Sequence, residues 1–272
     1  MTEPVAGPIV LVGAGNMGGA MLSGWLDNGA AGSSVVVLDP SPSDAIKAKL
    51  SAAGAAFHAT PPEGLVAGIL FLAVKPQMMD TVLPAIAHVV GPQTVVVSIA
   101  AGKTLSYFSK HLGDAAMVRA MPNTPAMIRR GVTGAYANQR VSESQRAQVA
   151  DLLAVSGPVE WVANEADIDA VTAISGSGPA YVFYLVECMA EAGRKLGLPA
   201  DLAMRLARET VSGAGELMRQ SPDDAARLRQ NVTSPGGTTA AALAVLMADE
   251  GMQPLFDTAL AAARDRAEEL GS

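Results

Sequence analysis

A glycine-rich segment near the start of the chain has the spacing of a dinucleotide-binding turn. Gly13, Gly15 and Gly18 form the pattern G-x-G-x-x-G, which follows an apolar run and opens a helix-like segment. The first glycine permits a tight turn, the second admits a pyrophosphate, and the third lets the helix pack on the sheet. The helix N-terminus adds free N–H groups and partial positive charge. This context favours a dinucleotide site over an ordinary strand–helix turn, with contacts from Gly13, Ala14, Gly15, Asn16, Met17 and Gly18.

The acid that such a site requires at the end of the next strand is Asp39, 21 residues beyond Gly18. A carboxylate there hydrogen-bonds a ribose 2′-hydroxyl, which favours NAD, and repels the 2′-phosphate of NADP. Ser41, Ser43 and Lys47 follow at once, however, and could hold a phosphate if the carboxylate turns away. These residues leave both NADH and NADPH open as the cofactor.

Three further apolar runs end in segments that belong beside a cofactor, because ligands of open α/β sheets bind beyond the carboxyl ends of the strands. Lys75 would lie near the cofactor, and small residues around Ala100 would form a wall for the nicotinamide. Asn123 lies on a loop stiffened by prolines. Lys75 could instead be an ordinary surface lysine at a strand end, and Asn123 could reflect ordinary turn chemistry. The segments are residues 73–77 (Ala73, Val74, Lys75, Pro76 and Gln77), 98–102 and 118–126.

A second turn with anion-binding character occupies residues 232–239 (VTSPGGTT). Its proline and two glycines break the chain, and Thr238 and Thr239 then begin a helix-like segment. Such a helix N-terminus offers hydroxyls, N–H donors and a positive dipole end, which suit a carboxylate. Residues 175–181 (SGSGPAY) use a similar device before another helix. For each turn the alternative is a flexible connection with a Ser/Thr cap.

The elements that must position these turns alternate over the first 160 residues. Apolar runs of four to seven residues are typical of strands buried on both faces of a parallel sheet. They lie at 8–13, 35–39, 69–74, 94–99, 116–121, 132–137 and 158–162, with helix-like segments at 16–28, 43–53, 76–89 and 142–155. This alternation predicts a doubly wound α/β domain.

After about residue 163 only helices are predicted, at 165–173, 178–196, 199–219, 223–231, 238–248 and 253–270. In the second of these, Tyr181, Leu185, Cys188, Ala192 and Leu196 form one apolar stripe at helical spacing. The predicted fold is therefore α/β. It has an N-terminal Rossmann-type doubly wound sheet (residues 1–162) and an all-helical C-terminal domain (residues 163–272).

Composition excludes several classes of protein. The chain has 272 residues, of which 50% are hydrophobic and 17% charged, so it can form a core and is too apolar for disorder. The lone Cys188 excludes a disulfide framework, and the three histidines lack ligand spacing, so no metal is expected. Residues 1–160 carry ten basic and ten acidic side chains, whereas residues 161–272 carry nine and sixteen. With no basic stripe, nucleic acid is not an expected partner.

A membrane location is not expected either. Mean hydropathy is +0.28, but the apolar runs are far shorter than the roughly 20 residues of a membrane span. Residues 1–4 lack the basic start of a signal peptide. We expect a soluble, cytoplasmic protein.

Together these features favour hydride transfer to a small anionic substrate. The chain has no Ser-His-Asp or Cys-His set and no histidine after His111, so the usual dehydrogenase histidine is missing from its second half. A substrate that needs little acid–base help, such as a readily protonated imine, is expected.

The same segments resemble pyrroline-5-carboxylate reductases over nearly the whole chain. The resemblance rests on six motifs in the order found in that family, at residues 13–18, 73–77, 98–102, 118–126, 175–181 and 232–239. It implies NADPH- or NADH-dependent reduction of 1-pyrroline-5-carboxylate to L-proline, the final step of proline biosynthesis. It also implies a homodimer, joined through interlocked helical domains, that assembles into a higher oligomer, a decamer.

The resemblance assigns residues to the site. The N–H groups of Gly237, Thr238 and Thr239 would hold the substrate carboxylate, and the hydroxyl of Thr239 would face the ring nitrogen as the catalytic group. Asn231 and Glu165 match further family positions beside that pocket. The dinucleotide would contact residues 13–18 and 73–76, and Thr60 takes a position near the adenosine ribose where relatives often have Asn.

Two departures from the family pattern leave questions open. Asp39 differs from the Ser, Thr or Asn-Arg types of strongly NADP-selective relatives, so the cofactor preference is not fixed. Many relatives have a Glu shortly after the position of Ser221, where this chain has Pro222-Asp223-Asp224. The contact that this Glu makes in relatives is therefore left open here.

Two other functions remain open. The first is reduction of another cyclic imine, or the reaction of a β-hydroxyacid dehydrogenase. The β-hydroxyacid dehydrogenase family shares the glycine turn and the helical second domain. It usually relies on a lysine in the second domain, and the candidate, Lys195, lies at a helix end. A scaffold that binds NAD(P) without turnover is the second.

Overall fold

Eight short strands form one sheet. The computed structural model describes residues 7–271. Residues 1–4, from which we predict the absence of a signal peptide, lie outside this range. The strand order is β3-β2-β1-β4-β5-β6-β7-β8. The order changes direction between β1 and β4, which places a ligand crevice at the carboxyl ends of these strands. The strands are β1 (Ile9–Val12), β2 (Val35–Leu38), β3 (Ala56–His58), β4 (Ala67–Leu72), β5 (Val90–Ser98), β6 (Ala116–Pro122), β7 (Thr133–Ala137) and β8 (Val159–Trp161).

The last two strands run against the others. Strands β1 to β6 are parallel, whereas β7 pairs with β6 in the antiparallel sense and β8 pairs with β7 in parallel. The prediction of a parallel sheet is therefore wrong for β7 and β8. Parallel pairing requires a crossover of a dozen or more residues, but only residues 123–132 join β6 to β7. Strand β3 has no predicted counterpart, because its three residues are too short a run to signal a strand.

Six α-helices accompany this sheet. Ser43, Thr104 and Ser142 cap α2, α4 and α5 by accepting a backbone N–H with the side-chain oxygen, which explains where these helices begin. Helix α4 was not predicted, although its apolar residues share a buried face. The helix predicted at 76–89 is shorter, because 3₁₀ turns flank α3. The helices are α1 (Asn16–Asp27), α2 (Asp44–Ala53), α3 (Met79–Ile86), α4 (Leu105–Leu112), α5 (Glu143–Ala154) and α6 (Asp167–Val171), which continues as a π-helix (Thr172–Gly176).

The core lies on both faces of the sheet, because successive strand residues point to opposite sides. On one face, Trp25 of α1 packs edge-on against Phe71 of β4, with 5.1 Å between the ring centroids. On the other face, Phe108 of α4 packs with Leu72 and Val96. Each such fully buried side chain contributes about 1.5–3 kcal/mol. These layers hold the carboxyl ends of the strands in fixed register.

The chain divides into a first unit, which runs to Gly176 and includes the segment from Ala263 onward, and a second unit, Ser177–Ala262. The strands end at Trp161, while α6 and the π-helix still pack in the first unit. The second unit contains helices only: α7 (Gly178–Lys195), α8 (Ala200–Gln220), α9 (Ala225–Asn231), α10 (Thr238–Leu246) and the first part of α11 (Met252–Gly271).

The second unit exposes much of its apolar surface. In α7, Phe183 is 62% exposed, and Leu196 of the predicted stripe is 86% exposed. The α7–α8 pair packs through small side chains such as Ala190 and Ala203. A monomer rarely leaves so much apolar surface in water, so these helix faces are suited to subunit contact. Within the described residues, none of the helices combines the length and the apolar character that crossing a bilayer demands.

Candidate active site

The glycine turn after β1 leaves open space beside its backbone. Gly13 has a φ of +88°, a conformation that favours glycine, and its N–H donates to the carbonyl of Leu38 (2.9 Å). A Cβ on Gly18 would overlap the carbonyl oxygen of Gly13, so only glycine lets α1 start directly against the turn. A Cβ on Gly15, in contrast, would meet no protein atom within 4 Å other than those of Gly15 and its two chain neighbours. The space at Gly15 is therefore free for a ligand.

The N-terminus of α1 offers backbone donors to that space. Gly15 is the N-cap residue and has no side-chain cap, and the first bond of the helix runs from the N–H of Gly19 to its carbonyl (2.6 Å). The N–H groups of Asn16, Met17 and Gly18 thus have no acceptor within the helix. The first turn contains no acidic side chain. These donors, with the positive end of the helix dipole, fit the pyrophosphate of a dinucleotide.

Asp39 uses its carboxylate to order this turn. One oxygen accepts the N–H of Ala14 (2.8 Å), and the other accepts the N–H of Ser41 (2.8 Å). Ser43 accepts the N–H of Ile46 as the cap of α2 (3.3 Å). The position of Asp39 is thus explained by the turn itself, and these contacts do not choose between NADH and NADPH.

The remaining cofactor candidates lie at the same edge of the sheet. Thr60 follows β3, Ala73, Val74, Lys75 and Pro76 follow β4, Ala100 follows β5, and Asn123 follows β6. Because β1 to β6 are parallel, all these residues are at carboxyl ends of strands. The sheet therefore brings the predicted cofactor residues to one edge, where the crevice opens.

Two of these residues have defined structural contacts. The N–H of Ala100, which is buried, donates to the hydroxyl of Ser98 (3.2 Å). The side-chain oxygen of Asn123 accepts the N–H of Val132 (3.0 Å) and so closes the loop between β6 and β7. Lys75 and Thr60 are exposed.

In the second unit, the turn between α9 and α10 has the shape expected of an anion site. Gly236 has a φ of +71°, and Gly237 caps α10 without help from a side chain. The N–H of Gly237 donates to the carbonyl of Ser234 (3.0 Å) within the turn. Of the three predicted carboxylate donors, Gly237 thus already has an acceptor.

The other donors at this turn face no acceptor within α10. The first helical bond runs from the N–H of Ala241 to the carbonyl of Gly237 (3.1 Å). The N–H groups of Thr238, Thr239 and Ala240 precede it and lack an intrahelical partner. Asn231, the last residue of α9, is exposed. The arrangement presents adjacent N–H donors beside the hydroxyl of Thr239, a combination that suits a carboxylate.

Glu165 lies in the first unit, apart in the chain from the other predicted substrate residues. Its Oε1 accepts the N–H of Leu105, the first residue of α4, at 2.7 Å. The same oxygen lies 3.6 Å from the guanidinium of Arg119, which also donates to Asp169 at 2.7 Å. Arg119 is 2% exposed. No role was predicted for Arg119 from the sequence, although an arginine inside an apolar strand signals a buried partner.

The first turn of α4 is also fixed on its other side. The hydroxyl of Tyr107 donates to Asp80 of α3 (2.7 Å), and the ammonium of Lys103 lies 4.2 Å from the centre of the Tyr107 ring. Burial, followed by the bond to Asp80, raises the pKa of Tyr107 to about 12. Tyr107 is therefore protonated at neutral pH and remains a donor to α3.

Comparison with known families gives two matches along the chain. A family model described as "Pyrroline-5-carboxylate reductase dimerisation" matches residues 165–270. A model described as "NADP oxidoreductase coenzyme F420-dependent" matches residues 8–102, which include the glycine turn. Together the two models cover both anion-binding turns.

Individual proteins match over nearly the full length. The chain is 40% identical to a pyrroline-5-carboxylate reductase of Pseudomonas aeruginosa over 263 residues, 96% of each chain. It superposes on a solved pyrroline-5-carboxylate reductase from Coxiella burnetii with a TM-score of 0.90 and 36% identity, covering 98% of this chain and 99% of that one. A Plasmodium falciparum pyrroline carboxylate reductase, solved with NADP bound, gives a TM-score of 0.80 at 27% identity, with 98% and 99% coverage.

Proposed function

The chain belongs to the pyrroline-5-carboxylate reductase family, and on that premise we propose how its own residues divide the work of the reaction. The enzyme reduces 1-pyrroline-5-carboxylate to L-proline with NADPH or NADH. The observation that carries the proposal is that one helix in each unit, α1 and α10, begins at a glycine N-cap without a side-chain cap, since the reaction uses two anionic ligands.

The cofactor residues are those at the carboxyl edge of the sheet. The N–H groups of Asn16, Met17 and Gly18 would hold the pyrophosphate, and Ala100 would flank the nicotinamide. When bound, the cofactor supplies a hydride to the substrate. The NADP bound in the Plasmodium relative supports a nicotinamide dinucleotide as the cofactor. Asp39 keeps the turn in its binding shape through Ala14 and leaves the choice between the two cofactors to other contacts.

The substrate residues are those of the turn before α10. The N–H groups of Thr238 and Thr239 would hold the carboxylate, while the N–H of Gly237 closes the turn by donating to the carbonyl of Ser234. The Thr239 hydroxyl would face the ring nitrogen and donate a hydrogen bond to it. Asn231 would lie beside the bound substrate. As the C=N bond is reduced at C5, the nitrogen carries or gains one proton, which Thr239 or water can supply. This chemistry requires no histidine, in keeping with the lack of His after position 111.

The chain forms homo-oligomers through its helical segment, which matches the dimerisation model of the family. We propose dimers that assemble further into a decamer. The exposed apolar side chains of α7, including Phe183 and Tyr184, support a dimer contact in this segment. The single cysteine supports a cytoplasmic location, since reducing compartments disfavour disulfides.

The test of the function is NADPH oxidation, followed by absorbance, with 1-pyrroline-5-carboxylate and the purified protein. We expect saturable oxidation and formation of L-proline. Oxidation confined to other cyclic imines or to oxo acids would favour the related reductases or dehydrogenases. Cofactor binding without oxidation of any of these substrates would favour a non-catalytic scaffold.

A further inference from the structure

The loop that joins β5 to α4, residues 99–104, is attached to a residue far along the chain. The N–H of Leu105, which ends this loop and begins α4, donates to Oε1 of Glu165 across sixty positions (2.7 Å). As the first residue of the helix, Leu105 has no intrahelical acceptor for this N–H. A carboxylate is also the favourable charge at this end of a helix. The contact therefore fixes the point where the loop meets α4.

Glu165 is held in place for this contact by Arg119. Arg119 is directly opposite Ser98, the last residue of β5, in the β5–β6 register. Its guanidinium lies 3.6 Å from Glu165 and 2.7 Å from Asp169, and its side chain is almost completely buried. The buried pair of Arg119 and Asp169 is held firmly, because separating the two leaves an uncompensated charge, and the partly exposed Glu165 lies beside it. Arg119 thus links the end of β5 to the acceptor that holds the start of α4.

The other side of the loop is packed closely as well. Gly102 has a φ of +68°, and a Cβ there would lie 2.8 Å from the Cβ of Leu270 near the end of α11. The N–H of Ala100 is bound to Ser98 (3.2 Å). The loop is therefore confined along its length, and the side-chain oxygen of Glu165 anchors the end where it meets α4.

We propose that Glu165 is a positioning residue, which holds the β5–α4 loop through the N–H of Leu105, and not a substrate ligand. The proposal rests on the proposed function of this loop as the wall beside the nicotinamide. Oε1 of Glu165 already accepts the N–H of Leu105 and lies beside Arg119, and these two contacts account for a carboxylate at this position without a substrate contact being required.

Two substitutions of Glu165 distinguish the effect of its side-chain length from the effect of its charge. Glu165→Gln keeps the length and an amide oxygen that accepts the N–H of Leu105, but removes the charge. Glu165→Asp keeps the charge beside Arg119 but shortens the side chain by one methylene and withdraws the acceptor. Asp114→Asn, in the exposed pair with Arg140, is the control for a carboxylate change elsewhere in the same unit.

The first measurement is hydrogen–deuterium exchange of the cofactor-free protein. We expect Glu165→Asp to raise exchange in residues 99–106 and to leave the strands unchanged. Glu165→Gln and Asp114→Asn should exchange like the original protein. Equal exchange in residues 99–106 for all four proteins would overturn the proposal, because the contact would then not restrain the loop.

The second measurement is steady-state kinetics with NADPH and 1-pyrroline-5-carboxylate. We expect Glu165→Asp to lower kcat at least about tenfold, while the KM for the imine substrate changes less than about twofold. Glu165→Gln should stay within about threefold of the original kcat. A normal kcat with a raised KM would make Glu165 a substrate ligand, and an impaired Glu165→Gln beside a normal Glu165→Asp would make charge decisive. Either result overturns the proposal.

The outcomes also separate this inference from the proposed function. If the original protein fails to reduce 1-pyrroline-5-carboxylate, the proposed function fails, while the exchange experiment still tests the anchor. If it is active and both Glu165 variants match it in kinetics and exchange, the function stands and the positioning role of Glu165 is refuted.

Discussion

Thr239 is the side chain with the most direct chemical role in the proposed reaction. Its N–H lies in the uncapped first turn of α10, and its hydroxyl is the one protic side chain proposed to meet the ring nitrogen. One threonine would thus supply a donor to the carboxylate from its backbone and a donor to the nitrogen from its side chain. Substitution of the side chain leaves the backbone donor in place and isolates the second contribution.

We expect Thr239→Ala to lower kcat/KM for the imine substrate at least about tenfold, or about 1.4 kcal/mol. Thr239→Ser is the matched control, because it keeps the hydroxyl and should retain most of the activity. Steady-state kinetics with saturating NADPH measures both. If Thr239→Ala and the original enzyme have the same kinetics, Thr239 has no part in the mechanism.

Asp39 is expected to serve both cofactors alike, because its carboxylate holds the N–H groups of Ala14 and Ser41. Asp39→Ala removes both acceptors and should raise the KM values for NADPH and NADH by a similar factor, about tenfold for a charged hydrogen bond of this kind. The KM values for the two cofactors are measured in parallel. A large improvement with NADPH alone would contradict this role and show that the carboxylate acts by repelling the 2′-phosphate.

Substitutions of two glycines in the turn between β1 and α1 should have different effects on stability and on cofactor binding. Gly15→Ala should leave the melting temperature nearly unchanged, since the φ of −69° suits alanine and the added methyl meets no atom within 4 Å beyond the adjoining residues. The same methyl would occupy the space proposed for the pyrophosphate. We expect the Kd for NADPH, measured by calorimetry, to rise at least about tenfold.

Gly18→Ala provides the opposite case in the same turn. Its methyl would overlap the carbonyl oxygen of Gly13, so this substitution should lower the melting temperature as well as cofactor affinity. A Gly15→Ala protein that binds NADPH normally would contradict the placement of the pyrophosphate, whatever the behaviour of Gly18→Ala.

Elements that are determined by neighbouring residues could be predicted from the sequence, whereas those that depend on residues far apart in the chain could not. The glycine turn and the start of the helix predicted at 142–155 are encoded by neighbouring residues, and both lie where the sequence indicated. The direction of β7 depends on the short connection and on its pairing partner, which an apolar run does not encode. The anchor from Arg119 through Glu165 to Leu105 joins three distant segments, so the arginine within an apolar strand signals a buried partner but not which residues supply it.

Each of the two units contains one of the two proposed anion-binding turns. In the proposed reaction the turn of the first unit would bind the dinucleotide, and the turn of the second would bind a small carboxylate. The second unit also leaves large apolar side chains in water, which explains why the predicted stripe on α7 does not form an internal core. The family model that matches this segment is a dimerisation model.

Subunit contact through α7 is tested by placing a charge on its exposed face. Phe183 is 62% exposed in the single chain, and Phe183→Asp should break the oligomer into smaller species, because burial of an unpaired charge is costly. Phe57→Asp, at the 43% exposed Phe57 of the first unit, is the control and should leave the assembly intact. Light scattering after gel filtration measures the masses. An unchanged mass for Phe183→Asp would place the contact elsewhere.

The most direct test of the proposed reaction is a crystal structure of the protein with NADP⁺ and L-proline. The carboxylate of proline should lie within hydrogen-bond distance of the N–H groups of Thr238 and Thr239, with the pyrophosphate at Gly15. A proline carboxylate bound away from these two amides would contradict the account.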